Sequence, residues 1–404
     1  MQQLFDSPTL PSLTIEKPVV RSYTQILALA ILVGMVLAIA APALASTESV
    51  IYSFANPPDA FKPQCNLVAD TAGNMYGTTF SGGTHNLGAV FMVTPTGTES
   101  VVYSFAGGAD GSHPVAGLTI NKKTGILYGT TVYGGATNNG TVFSLNPATG
   151  VDKVIYSFLG GLDGFNPYSS VVLAGTNLFG TTMNGGQFGY GTVFKVTTAG
   201  KETILHSFNS AFPTLDGSFP YAGLVLYKGI LYGTTTLGGA GNLGTLFSIT
   251  KTGGYALLYN FKGGSNDGQS PYGGVNFDTT GIMYGTTSLG GLNNAGVVFQ
   301  MTGGTETVLH HFSRNNGDGS LPYATMVRFK GAFWGTTTQG GTANGGTIFK
   351  ITPAGTENVV YSFTGGADGF NPFSALLLGA DKKFYSTTNI GGTSSLGTVF
   401  KLVP

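Results

Sequence analysis

Seven aspartates recur in this chain at intervals of about 50 residues: Asp59, Asp110, Asp163, Asp216, Asp267, Asp318 and Asp368. Each has a proline four positions on, and all but Asp59 are followed by glycine. A ring of carboxylates could hold Ca²⁺, which takes about six to eight oxygens from ligands close together. One aspartate per repeat, with no second acid nearby, does not supply that set, so no metal is expected. The same pattern suits a turn. The side chain accepts a backbone N–H, glycine takes a positive φ, and proline opens the next strand. Asp110, Asp163, Asp216, Asp267, Asp318 and Asp368 are therefore expected as structural turn residues, and Asp59 with them.

The residue after each proline is the candidate for ligand binding. It is aromatic in five repeats, Tyr168, Tyr221, Tyr272, Tyr323 and Phe373, and Gln64 or Val115 in the other two. Such rings can stack on sugar rings or peptide side chains. They can equally pack between neighbouring structural units. The paired threonines of a recurring "YGTT" phrase, and Asn86, Asn138, Asn242, Asn294 and Asn344 beside glycines, satisfy local backbone in most settings. The same groups could meet sugar hydroxyls.

Other chemistry is sparse. His85 ("GGTHNLG") and His113 ("DGSHP") fall in loops that could be neighbours, with Asp110 close by. Two imidazoles and a carboxylate could hold a metal or share a proton, yet surface histidines on adjacent loops are usually incidental. His206, His310 and His311 stand where other repeats have Tyr or Ser, and read as substitutions within a packed edge. Cys65 is the one cysteine, which excludes an internal disulfide, and it reads as a small buried residue. No nucleophile elbow, H-E-x-x-H or paired-acid motif occurs, so no catalytic residue is assigned. The glycine-rich loops lack the G-K-[ST] of a phosphate cradle, and no cofactor is expected.

The elements that carry these residues repeat seven times. "YGTT" or a close variant stands at Tyr76, Tyr128, Phe179, Tyr232, Tyr284, Trp334 and Tyr385, each followed by a Gly-Gly pair and a "GTVF"-like phrase. "YSF"-like phrases end at Phe54, Phe105, Phe158, Phe208, Phe261, Phe312 and Phe363. Each repeat thus holds four short segments rich in β-branched and aromatic residues, separated by Gly, Pro, Asn and Asp. In the second repeat they are "VAGLTI", "ILYGTT", "TVFSL" and "KVIYSF". Four strands in about 50 residues, repeated seven times, predict an all-β, seven-bladed β-propeller with four antiparallel strands per blade. The strands do not alternate apolar and polar residues. Stacked blades bury both faces and remove that alternation.

The chain ends test the closed form. "GTVFKLVP" leaves the last repeat without its outer strand, while "STESVIYSF" is an outer strand with no repeat before it. Residues 47–54 are therefore expected to complete the last blade and close the ring. The loops carrying D-G-x-x-P and G-G-x-x-N should share one face of the disc, leaving plain turns on the other.

Composition agrees with a folded, non-nucleic-acid-binding chain. Glycine is 65 of 404 residues, charged residues are 9%, aromatics are 12%, and the formal net charge is zero. Lys17 and Arg21 precede the apolar run Ile26–Ala41, and "PALAS" follows with small residues at Ala43 and Ala45. That order marks residues 1–45 as a cleaved signal peptide before a propeller of residues 46–404. An uncleaved anchor is the other reading. After cleavage no membrane attachment is expected.

The phrases "LYGTT..GG...NGTVF" and "YSF.GG.DG..P" resemble the Gloeobacter/Verrucomicrobia (GloVer) tandem repeat over residues 48–403. The resemblance implies a secreted or surface propeller and no particular activity. The expected role is a secreted, extracellular, monomeric binding module for glycan or protein. The alternative is a propeller enzyme acting on polysaccharide, a lyase or glycosidase.

Overall fold

A computed structural model of the chain describes residues 46–211 and 215–404. The expected leader at residues 1–45 lies outside the described residues. Residues 46–404 form a seven-bladed β-propeller of four-stranded antiparallel sheets. Blades 1 to 7 begin at the strands Val68–Ala69, Thr119–Ile120, Val172–Ala174, Val225–Tyr227, Asn276–Phe277, Val327–Phe329 and Leu377–Leu378. Blade 2 runs outward through Thr119–Ile120, Leu127–Thr131, Thr141–Asn146 and Val151–Ser157. The innermost strands are only two or three residues long, shorter than the "VAGLTI" segment suggested. Among the described residues no helix is long and apolar enough to cross a membrane.

Closure follows the expectation. Thr47–Ser53 pairs antiparallel with Thr398–Val403, from Thr47 opposite Val403 to Ser53 opposite Thr398. Blade 7 is therefore built from both ends of the described chain. In all seven blades a register shift interrupts the third-to-outer pairing, as between Val142 and Phe143. Such bulges strengthen the local twist.

The repeated phrases explain how the blades adhere. The Phe that ends each outer-strand phrase lies edge-to-face on the "GTVF" Phe of the next blade, with centroids 5.0–5.4 Å apart. Phe54 on Phe91 joins blade 7 to blade 1 in the same way. The glycine of "YGTT" makes room for that second Phe: a Cβ on Gly129 would stand 2.5 Å from the Phe143 ring. The first threonine of each "YGTT" donates its hydroxyl to a carbonyl of the following blade, as Thr130 does to Ser169 O (3.0 Å) and Thr387 to Cys65 O (3.4 Å). Each blade interface therefore repeats one apolar and one polar contact, and the Gly-Thr-Thr part of every second strand (Ser-Thr-Thr in blade 7) is buried.

Candidate functional site

The two motif-bearing loop sets meet in every blade. The segment after each clustered Asp forms a short antiparallel bridge with the residue before each Gly-Gly, such as Ser112 with Tyr133 and Phe165 with Asn184. In blades 1, 5 and 6 the bridge lengthens to two-residue strands, for example Gly268–Gln269 with Leu289–Gly290. The close approach requires glycine: a Cβ on Gly134 would lie 2.4 Å from the Gly111 Cα, and Gly134 has φ +80°. The asparagines are consumed by this loop. Asn138 Oδ1 accepts the Gly134 N–H at 2.9 Å, and Asn86, Asn242, Asn294 and Asn344 repeat the bond. Several large apolar side chains on these loops stay exposed, among them Leu162, Phe188 and Leu292.

The aromatic positions form one continuous arc. Tyr168 stacks on Tyr221 at 5.4 Å, and Tyr221 meets Tyr272 edge-on at 5.2 Å. Tyr272 leans on Tyr323 at 4.7 Å, and Tyr323 meets Phe373 at 5.5 Å. Side chains of five successive blades can touch in this way only near the axis, where the blades converge. All five are half-buried. Burial, then the neighbouring phenols, pushes the Tyr221 hydroxyl up to about 12. The arc is open on the side of blades 1 and 2, where Gln64 and the buried Val115 take the equivalent positions.

The seven aspartates lie at the outer end of the same linkers and act as clasps. Each accepts an N–H from the segment just after the previous outer strand, as Asp163 does from Leu159 (2.6 Å). Each also accepts a hydrogen bond from that strand's own side chain. The donor is a tyrosine in five clasps, such as Tyr156 to Asp163 at 2.9 Å. In the other two the partner is histidine: His206 Nε2 lies 2.8 Å from Asp216 and His310 Nε2 3.3 Å from Asp318. The N–H common to all seven comes from residues upstream of the Asp; Asp318 accepts a further one from Gly319, in the turn that follows it.

The expectation that no second acid lies near these aspartates is wrong. Six clasps face an acid on the next outer strand: Glu99 beside Asp59, Asp152 beside Asp110, Glu202 beside Asp163, Glu306 beside Asp267, Glu357 beside Asp318 and Glu48 beside Asp368. The pairs are separated by about 40 residues in the chain, or by 320 for Glu48 and Asp368, so distance in sequence conceals them. In the seventh clasp Tyr255 replaces the acid, and its ring stacks on His206 at 3.9 Å. Burial pushes the carboxyls of Glu48, Glu99, Asp152, Glu202 and Glu357 up to about 7, and that of Glu306 to about 8. One oxygen of each of these six carboxyls is buried with no hydrogen-bond partner.

The histidine pair is not assembled. His113 packs against Phe80 at 4.6 Å and Tyr133 at 5.7 Å, while His85 is exposed. Among the described residues no hydrogen bond or ring contact joins them. Burial holds the His113 imidazole below its usual range. The group that does converge is His310, Asp318 and Glu357, whose nitrogen and oxygen atoms all lie within 4.8 Å of one another. The sequence signal for it was an outer-strand acid, present in six repeats, combined with a histidine in the tyrosine position.

The fold defines the class: a repeat propeller whose motifs mostly build the blades. The chain belongs to the Gloeobacter/Verrucomicrobia repeat family, whose model matches residues 34–225, 120–299 and 274–404. No curated protein matches it. Among solved structures it is similar to a protein assigned as a 6-phosphogluconolactonase from Bacteroides uniformis, with 13% identity and a TM-score of 0.51 over 82% of this chain and 98% of that one. It is also similar to the extracellular domain of a one-component system from B. thetaiotaomicron, with 13% identity and a TM-score of 0.50 over 88% of this chain. The chain spans 42% of that protein's length. At this identity the likeness shows the fold alone.

Proposed function

We propose that this protein is a secreted, non-catalytic binding module for an extracellular glycan or protein, and that the aromatic arc is its contact surface. The observation that carries this reading is the run of five half-buried rings, Tyr168 to Phe373, touching from blade to blade. A row of partly exposed aromatic rings suits contact with sugar rings or peptide side chains. Leu162, Phe188 and Leu292 are further exposed apolar side chains on the motif-bearing loops. The polar motif groups bind backbone, which leaves the rings as the better anchors.

Tyr221→Ala/Tyr272→Ala tests the reading. Loss of two stacked rings, each contributing about 0.5–1.5 kcal/mol, should weaken polymer binding by about tenfold to a hundredfold. Short oligomers that touch a single ring should lose less, because avidity is not at stake. A glycan array on the unmodified protein supplies the ligand, and a turnover assay on its hits supplies the contrast with an enzyme. Polymer binding that survives the double substitution removes the arc from the site. Product formation from any hit favours a polysaccharide lyase or glycosidase.

A further inference from the structure

We propose that His310, Asp318 and Glu357 form a binding site for one divalent transition-metal ion, with zinc the best match, that ties blade 5 to blade 6. His310 lies on the outer strand Thr305–His311 of blade 5, and Glu357 on the outer strand Glu357–Ser362 of blade 6. Asp318 lies in the linker between them. The three side chains therefore reach one point from three separately positioned segments.

Geometry and chemistry both fit a metal. One ligand atom from each residue falls within 4.8 Å of the other two. The 3.3 Å between His310 Nε2 and Asp318 Oδ2 is close to the edge of a tetrahedron with bonds of about 2.0–2.2 Å. Asp318 Oδ2 also accepts the Ser313 N–H at 2.8 Å, and its Oδ1 accepts the Gly319 N–H at 2.6 Å, so the carboxylate is held in place. Glu357 Oε1 is buried and has no hydrogen-bond partner. The side chains of His310 and Asp318 remain 21% and 17% exposed, which leaves an entry path and room for water at the open positions. Imidazole nitrogen selects a transition metal over Ca²⁺ or Mg²⁺.

The other six clasps serve as internal comparisons. Five place a tyrosine hydroxyl where His310 stands, and a phenol that donates to the aspartate is a poor metal ligand. The sixth keeps its histidine, His206, but has Tyr255 stacked on it in place of the acid. Only the clasp of blades 5 and 6 combines an imidazole with two carboxyls.

The test is zinc titration of the chelator-treated, untagged protein, read by calorimetry and by metal content after dialysis. The expected result is one bound equivalent and a higher melting temperature with Zn²⁺, since a ligand of the native state stabilises it. His310→Tyr copies the residue of five other clasps and should fold while losing that equivalent. Glu357→Gln keeps the shape and should weaken zinc binding by tenfold or more. His206→Tyr should bind as the unmodified protein does. The proposal fails if the unmodified protein binds no zinc, if His310→Tyr retains the bound equivalent, or if His206→Tyr abolishes it.

Discussion

Deleting residues 46–54 is expected to destabilise the propeller far more than loss of an ordinary terminal tail. The deletion removes the whole outer strand of blade 7 and leaves Thr398–Val403 as an unpaired edge. It also removes Phe54, which is fully buried and lies 5.0 Å from Phe91 of blade 1. The clasp between Tyr52 and Asp59, at 2.8 Å, goes with it. Truncating a buried Phe alone costs about 3–5 kcal/mol, against a total stability of about 5–15 kcal/mol for a typical domain. Phe54→Ala should therefore cost about as much as Phe158→Ala, whose partner Phe194 sits across an interface formed without the chain ends. The full deletion should cost more than either. Melting curves of the three variants decide the matter. A deletion variant that melts at the unmodified temperature would show that the strand contributes nothing to closure.

That closure could be read from the sequence because "STESVIYSF" and "GTVFKLVP" are complementary fragments of one repeat. Blade number and strand order were legible for the same reason: the phrases occur in a fixed order and mark each strand. The clasps were not legible in full. Asp163 and Tyr156 are close in sequence, but Glu202 joins them only once blade 3 has folded outward and returned. The pairing of the Asp segments with the Gly-Gly loops was hidden for a related reason, since it closes over an entire pair of strands. His310 was placed correctly at a tyrosine position, yet its chemistry depends on Glu357, an acid of the next blade. The ring-to-ring contacts of Tyr168, Tyr221, Tyr272, Tyr323 and Phe373 depend on how tightly the blades converge, and a repeat period carries no such distance.

The outer-strand acids lead to the second large effect: stability should fall as pH rises from about 5 to 8. Glu48, Glu99, Asp152 and Glu202 titrate near 7 in the folded protein and Glu306 near 8, against ordinary values of 4.5 for Glu and 3.8 for Asp. Burial is the main cause, and the clasp aspartate beside each acid adds to it. Lys195 near Glu202 and Lys262 near Glu306 oppose the shift without cancelling it. Below the unfolded values both states hold these protons, and the stabilisation is fully present. Between the unfolded and folded values the unfolded chain releases protons that the folded chain keeps. Raising the pH through that window therefore favours unfolding, by up to about 1.4 kcal/mol per pH unit for each fully coupled group. These carboxyls are partly exposed, so solvent screening reduces the slope. His113 and His311, held below the usual imidazole range by burial, act in the opposite direction near pH 6, but they are two groups against five. Melting temperatures taken at pH 5, 6.5 and 8 with EDTA present should decline across the series. Glu99→Gln/Glu202→Gln/Glu306→Gln, which keeps the shape of each acid and removes its ionisation, should flatten the decline and raise the melting temperature at pH 8. A profile that rises with pH, or a triple variant with an unchanged slope, would mean that the clasp carboxyls stay ionised in the folded ring.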